Sequence, residues 1–394
     1  MYYLFAIPLI CPILVLLLAP MTYAKRPNRI DAVIASLAIG LAFALVCHEI
    51  TYSDLETDAV RIMRECAATE GMALLDVLAD PPSGSSSLVV LNVWEWVVGQ
   101  TGDPRLFQAS AAFLGYSTIA WLLFDCRATR KCSIGEFMVM LLFVLVAVPM
   151  QTIVGNVRST LVCIIAALAL YIQSEREKPF ASAVLLIVSC GIHVLGVVGL
   201  LLWVFRKPIV AHPWKACIVF FAGIILVSAF SLLISTYFSS VTFINDFFQK
   251  LLLYREGTDY DQINAGRFTT QLTHGLSLLL LCLMIVRLKV AKRDSPLVAY
   301  CIVSVACTFA MELLLVNVGI RLMYLPMILY CCASLCRDES TDESRHWHLL
   351  VMLDLLILVI SLGLSAFSWM YFLMTFNWQD VLLSAVFFPA VLSM

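Results

Sequence analysis

Two ionisable side chains, Arg158 and His193, lie near the middle of two long apolar stretches, residues 136–173 and 180–205. An arginine at the centre of a membrane helix costs about 2.5–3.5 kcal/mol on insertion scales, so such residues are normally retained for a function. The guanidinium is a planar fork of donors that matches two phosphate oxygens and stays charged. The imidazole can accept a proton near neutral pH or donate a hydrogen bond to an anion. Together they indicate a site for an anionic substrate.

The sequence around both residues also allows purely structural roles. Arg158 follows Asn156 in GNVRS, where a helix begins, and its side chain could instead extend to a lipid phosphate. His193 lies between Gly191 and Gly196, small residues that permit close helix approach. It could hydrogen-bond a backbone carbonyl freed by a broken helix rather than take part in chemistry.

A strongly acidic segment, residues 51–85, carries further candidates. Asp54 and Asp58 are four residues apart and Arg61 follows Asp58 by three, so a helix would put all three on one face. Such an arrangement could orient a carboxylate as a general base. It could also be an ordinary ion pair on a solvated helix.

A second polar segment, residues 237–274, offers Asp259, Tyr260 and Arg267, and a later helix begins near Arg321. We expect Arg158, Arg267 and Arg321 to converge on one anionic group. Taken singly, each arginine could instead anchor a helix at the membrane interface.

The remaining intramembrane polar residues suggest no metal or redox site. Glu312 lies in the apolar run FAMELLL, where pairing with a neighbouring helix is its simplest role. Most of the 14 cysteines lie in apolar runs, which predicts no disulfide framework. Cys331, Cys332 and Cys336 cluster at a helix end without the spacing or histidines of a zinc site.

The elements that position these residues are predicted to be membrane helices. Of the 394 residues, 62% are hydrophobic and 13% charged, which is too apolar for a soluble domain with a wet surface. Apolar runs of about 17–25 residues recur along the whole chain, separated by short polar breaks. We predict a single all-α, polytopic transmembrane domain over residues 1–394. The net charge of −2 gives no indication of a nucleic-acid partner.

The distribution of basic residues orients this domain. With the amino terminus outside, six predicted inner loops hold 17 of the 25 lysines and arginines, as the positive-inside rule requires. The pattern gives about 11 to 13 crossings, beginning with a retained helix near residues 2–22 and ending with spans near 349–366 and 368–388. Residues 86–99 and 181–205 are too short for full crossings, so we expect an interfacial or re-entrant segment and a re-entrant hairpin. Segments 51–85 and 237–274 become outer loops.

Four short polar segments follow one another along the chain, and they are YSDLETD, GNVRS, GIHV and GIRLMY. In this order they resemble the EpsG family of exopolysaccharide polymerases, which is related to the Wzy polymerases of O-antigen and capsule. The family places an acidic outer loop after the second helix, then Asn and Arg at a helix entrance, then a His-containing tip between basic flanks. The likeness covers about residues 50 to 336. It departs at Asp58, where a tyrosine is usual, and at Leu195, where a small residue is common.

The resemblance implies polymerisation of lipid-linked oligosaccharide repeats at the outer face of the bacterial plasma membrane. The glycan would pass from one polyprenyl diphosphate carrier to a sugar hydroxyl on the next. Its expected partners are this lipid-linked oligosaccharide, membrane lipids, a chain-length regulator and a flippase, with no cofactor. The residues expected to bind substrate and departing diphosphate are Arg158, Arg267, Arg321, Asn156, Tyr260 and Arg61. Those that could accept the hydroxyl proton are His193, Asp54 and Asp259.

Two other classes of protein share some of these features. A transporter or flippase of lipid-linked oligosaccharide would also place arginines at broken helices, but alternating access calls for polar residues on the cytoplasmic side. A membrane acyltransferase modifying polysaccharide could use His193 as its base. It would need a second polar site reaching a cytoplasmic acyl donor, and the sequence shows none.

Overall fold

The computed structural model describes residues 2–25, 27–52, 58–130, 132–231, 236–237, 268–291, 295–314, 316–335, 347–375 and 378–386. Helices form the regular structure of these residues and no β-strand occurs among them. The helices are α1 Pro12–Lys25, α2 Arg29–His48, α3 Asp58–Ala68, α4 Leu74–Ala79, α5 Val89–Gly99, α6 Arg105–Thr129, α7 Ile134–Ala147, α8 Met150–Gly155, α9 Val157–Glu175, α10 Pro179–Ile192, α11 Gly196–Val204, α12 Arg206–Ala211, α13 Pro213–Ala229, α14 Phe268–Val290, α15 Pro296–Leu314, α16 Val316–Leu322, α17 Tyr324–Leu335, α18 Trp347–Thr375 and α19 Trp378–Val386.

Within the described residues, seven helical segments are long and apolar enough to cross a membrane. This confirms the all-α, multi-pass class, while the count of 11 to 13 crossings and the outside amino terminus stay predictions. The seven segments are Arg29–His48, Arg105–Thr129, Val157–Glu175, Gln271–Val290, Pro296–Leu314, Val318–Leu335 and His348–Phe367.

Two predicted spans have different boundaries in the structure. Residues 2–22 do not form one helix, because Tyr2–Phe5 and Ile7–Leu9 are short 3-10 turns and the α-helix begins only at Pro12. Pro8 and Pro12 lack backbone N–H donors, which favours turns and a helix start. Near the carboxyl end, α18 continues through residue 367 to Thr375, where a break between two spans was predicted.

Buried ion pairs join distant helices at the end of the bundle that is predicted to face the cytoplasm. Arg287 makes a two-pronged pair with Asp354, with Nε–Oδ1 and Nη2–Oδ2 distances of 2.9 and 3.1 Å. Asp125 is buried, pairs with Arg176 and accepts a hydrogen bond from Tyr171 at 2.7 Å. These pairs satisfy charges that would otherwise be costly to bury.

The opposite end, which we call the predicted outer end, carries a layer formed by α3, α4 and α5. Helix α3 is amphipathic, and its buried face includes Ile62 and Cys66, which pack with Leu88 and Leu91 around α5. Part of the predicted outer loop 51–85 is therefore helical and packed against the bundle. Val157, the first residue of α9, packs in the same cluster.

Helices α10 and α11 form the predicted hairpin, and they have only 14 and 9 residues. The backbone becomes extended at His193 and then turns back, so that α11 packs against α10. A Cβ on Gly196 would lie 2.6 Å from the Cys190 nitrogen and 2.7 Å from the Ser189 hydroxyl oxygen. Only glycine fits this reversal without displacing backbone.

Candidate functional site

An apolar cavity of about 280 Å³ lies between α11, α13 and α15. Its walls are aliphatic and aromatic along most of their length, and His193 and Arg321 stand among the lining residues at the predicted outer end. Phe205 and Val219 line its other end, and they are 47% and 68% exposed, so the cavity opens sideways on the helix surface. The arrangement suits a molecule with an apolar body and an anionic head.

His193 is held at the hairpin tip with one ring nitrogen already used. The backbone N–H of Leu195 donates to His193 Nδ1 at 3.2 Å, and the side chain is buried. A nitrogen that accepts an N–H carries no proton, so the neutral ring carries its proton on Nε2. In this state His193 is a donor through Nε2, which fits the predicted contact with an anion better than the predicted role of base.

Arg321 approaches the same cavity from the end of α16. Its backbone carbonyl accepts a contact from Cys163 Sγ at 3.4 Å, which joins this segment to α9. Val318, from the same helix, packs with Leu161 and Ile192 in a buried cluster. The α16 segment and the hairpin tip are thus fixed to one another through α9.

Arg158 lies on α9, the helix that contacts the Arg321 carbonyl through Cys163. It is about 7.5 Å from Cys163 along the helix axis, at about 1.5 Å per residue. It does not line the cavity that His193 and Arg321 share. Its guanidinium instead pairs with Asp58 at the start of α3, with an Nη2–Oδ1 distance of 2.9 Å. Asp58 also pairs with Arg61, which lies 3.6 Å from Glu65. Convergence of Arg158 with the other two arginines stays a prediction.

Two further carboxyls, Glu65 and Glu95, lie beside this ion pair, and we did not single them out from the sequence as candidates for chemistry. Glu95 is fully buried, and neither of its oxygens has a partner among the described residues other than the Glu65 carboxyl. Burial raises the pKa of Glu95 to about 8, and the neighbouring Glu65 charge adds to the effect. Burial also raises the pKa of Glu65, against the opposing charge of Arg158. The two carboxyls can therefore share one proton at neutral pH.

We expect Glu95 to make stability fall with rising pH. A carboxyl whose pKa is higher in the folded chain favours folding at low pH. This contribution to the free energy of unfolding is lost as the pH rises from the ordinary carboxyl pKa of 4.5 to the folded-state pKa of about 8. The free energy of unfolding then falls by up to about 1.4 kcal/mol per pH unit. Thermal unfolding of purified protein from pH 5 to 8 should show a steeper fall for the wild type than for Glu95→Gln. The matched control is Glu70→Gln on the exposed end of the same layer. Equal slopes for wild type and Glu95→Gln would contradict the assignment.

A second pair that we did not predict joins His274 of α14 to Glu312 of α15. The His274 Nδ1 and Glu312 Oε1 atoms are 2.9 Å apart. This confirms that Glu312 pairs with a neighbouring helix. His274 was counted with the loop 237–274 and so was not considered, although a histidine within two turns of the start of a membrane helix is a recognisable signal.

The other predicted site residues are only partly described. Asn156 lies between α8 and α9 and makes no side-chain cap on α9. Arg61 lies on α3 with its side chain 55% exposed. The residues that lie outside the described part of the chain are Asp54, Asp259, Tyr260 and Arg267. Within the described part, no group of three His, Cys, Asp or Glu side chains is placed to hold a metal ion.

The fold and these clusters define a multi-pass, all-helical membrane protein with a lateral apolar cavity and ionisable groups gathered at one end. The chain belongs to the EpsG family, whose model matches residues 91–383. This is the family of Wzy-like polysaccharide polymerases, so the predicted resemblance is confirmed, and membership indicates a polymerase of glycosyltransferase type. No curated protein and no solved structure gives a significant match to the chain.

Proposed function

We propose that the protein polymerises lipid-linked oligosaccharide repeats on the outer face of the bacterial plasma membrane. It transfers the glycan from a polyprenyl diphosphate carrier to a sugar hydroxyl of the next repeat. The observation that carries this proposal is the apolar cavity that ends in His193 and Arg321. A flippase that supplies repeats and a regulator of chain length are its proposed partners.

The cavity matches the amphiphilic donor in shape and polarity. Its apolar walls, formed by residues such as Val198, Leu201 and Ile224, would bind the first part of the polyprenyl chain. A cavity of about 280 Å³ holds only a part of a long polyprenyl chain. The rest would pass through the side opening near Phe205 and Val219 into the bilayer.

The polar end matches the departing group. When the sugar–oxygen bond breaks, negative charge develops on the diphosphate, and donors already in position stabilise it without reorganisation. Arg321 supplies a fixed positive charge with two parallel donors, and His193 supplies an Nε2–H donor. Arg158 and Arg267, with Asn156, Tyr260 and Arg61, remain the proposed binding residues for the rest of the substrate, and Asp54 and Asp259 remain candidate bases.

We expect a side chain that fills the cavity to impair elongation. A Cβ on Gly223 would meet no atom within 4 Å, so phenylalanine can enter the cavity there without a backbone clash. The assay measures elongation in lipid nanodiscs, and its substrate is the lipid-linked single repeat extracted from cells that lack this protein. We expect the KM of Gly223→Phe to be at least tenfold above that of wild type, which corresponds to a loss of about 1.4 kcal/mol of binding free energy.

Gly363→Phe is the matched control, because Gly363 is also a helical glycine with open space around it, on the exposed face of α18. It should elongate like wild type. Wild-type protein that moves the lipid-linked repeat across the bilayer without making longer glycan would be a transporter, and the proposed function would be wrong. An unchanged KM for Gly223→Phe would remove the cavity from the donor site.

A further inference from the structure

We infer that His274 is the catalytic base that accepts the proton of the attacking sugar hydroxyl, and that Glu312 positions it. This inference rests on the proposed function and adds to it a residue that receives the proton. Its basis is the geometry of the His274–Glu312 pair and the contact between Glu312 and the segment that carries Arg321.

The hydrogen bond between the two residues determines which ring nitrogen can act. Glu312 is buried, and its carboxylate accepts from His274 Nδ1–H at 2.9 Å. The lone pair of the neutral ring is therefore on Nε2. A carboxylate that holds Nδ1–H in this way also stabilises the imidazolium that forms when Nε2 takes up a proton.

The Nε2 atom has an unmet hydrogen bond. It is shielded from solvent, and no described residue donates to it. Glu312 Oε2 is also shielded from solvent and accepts no hydrogen bond from a described residue. Buried acceptors without donors are costly, at about 1–3 kcal/mol each, and usually have a ligand or a function. Sugar hydroxyls are donors of the kind that both acceptors lack.

Glu312 is connected to the polar end of the cavity through α15 and α16. Met311, the residue before Glu312, lines the cavity together with Arg321. Gly319, two residues before Arg321, lies directly against Glu312, because a Cβ built on it would be 2.4 Å from the Glu312 Cα. The segment that carries the base-positioning carboxylate is therefore in backbone contact with the segment that carries the proposed diphosphate ligand.

The two histidines have opposite roles in this arrangement. His193 Nδ1 accepts a backbone N–H, so its Nε2 donates. His274 Nδ1 donates to a carboxylate, so its Nε2 accepts. An enzyme that must hold a leaving anion and remove a proton needs one group of each kind.

In the proposed glycosyl transfer, the acceptor hydroxyl oxygen forms a bond to the anomeric carbon, and its proton passes to His274 Nε2. The bond between the anomeric carbon and the diphosphate oxygen breaks, and the diphosphate leaves with the electron pair, still attached to its polyprenyl chain.

The test separates the proton acceptor from a structural brace. In His274→Asn the amide nitrogen can take the place of Nδ1 and still donate to Glu312, but no base remains. We expect kcat for elongation of the extracted lipid-linked repeat to fall by about 10²–10⁴-fold. KM, the unfolding temperature and stabilisation by added farnesyl diphosphate should stay as in wild type. His212→Asn, at an exposed histidine, is the matched control and should elongate normally.

Glu312→Gln tests the positioning residue without removing the imidazole. It should lower kcat by about 10²-fold or more and leave KM unchanged, because glutamine cannot stabilise the imidazolium by charge. The inference is overturned if either folded variant elongates at the wild-type rate, or if the loss lies in KM. The wild-type protein is assayed before any variant. If it does not elongate the repeat, the proposed function itself is wrong.

Discussion

Replacing Arg321 by alanine should lower the rate of elongation by about 10²–10³-fold, the cost of removing one preorganised donor from a developing anion. Arg321→Lys should retain more activity, because it keeps the charge, but should remain clearly below wild type since an ammonium lacks the two parallel donors. The measurement is the initial rate with extracted lipid-linked repeat, beside the unfolding temperature of each variant. In cells, the same variants should accumulate single repeats on the lipid.

Arg64→Ala is the control for this series, because it removes an exposed arginine from the predicted outer end. It should elongate as wild type does. A higher rate of elongation for Arg321→Lys than for Arg321→Ala distinguishes a ligand of the diphosphate from a residue that is needed only for folding. A folded Arg321→Ala variant with wild-type kcat would exclude the cavity end as the site of the leaving group.

The second large effect is expected at Arg158, and it concerns the stability of the layer formed by α3, α4 and α5. Its guanidinium pairs with Asp58 and also offsets the charges of Glu65 and Glu95. Removing one member of a buried ion pair costs about 3–5 kcal/mol. We expect about 3 kcal/mol for Arg158→Gln, because the two paired side chains are 16% and 26% exposed. Asp58→Asn should cost less, since Arg158 then still has the glutamates.

Cys66 provides the readout, because its thiol is fully buried under α3 and opens to solvent only when the layer detaches. A loss of about 3 kcal/mol should raise the rate of its labelling by a water-soluble maleimide by about 150-fold. The exchanged pair, Asp58→Arg with Arg158→Asp, should not restore protection, because an aspartate at 158 would then face Glu65 and Glu95. Arg64→Gln is the matched control.

This measurement also decides between two roles for Arg158. Unchanged labelling of Cys66 in Arg158→Gln, together with slow elongation, would show a substrate ligand. Faster labelling with the expected magnitude would show that the arginine holds the layer in place.

The sequence predicted the parts of the site that depend on local pattern. Apolar run length and basic flanks gave the membrane class, and the short runs on either side of His193 predicted the α10–α11 hairpin. Helical spacing put Asp58 and Arg61 on one face, and they do pair. Each of these inferences needs only neighbours a few residues apart.

The same reasoning could not identify contacts between residues that are distant along the chain. Arg158 was grouped with two other arginines, yet its described partner is Asp58, 100 residues earlier. Glu95 was not singled out, because nothing local in the sequence indicates that Glu65 packs beside it. His274 was assigned to a loop. A periodic pattern shows which face of a helix is apolar, but the neighbour of that face depends on how the whole bundle packs.

The separation between Asp58 and Arg158 has a consequence for synthesis of the protein. At about 5–20 residues per second, the ribosome makes Asp58 about 5–20 s before its partner exists. During that interval α3 has a carboxylate with no arginine from α9, and the α3–α5 layer cannot close. Assembly of this layer must therefore follow insertion of α9. A translational pause before residue 158 would prolong the time in which the segment is open to proteases or chaperones.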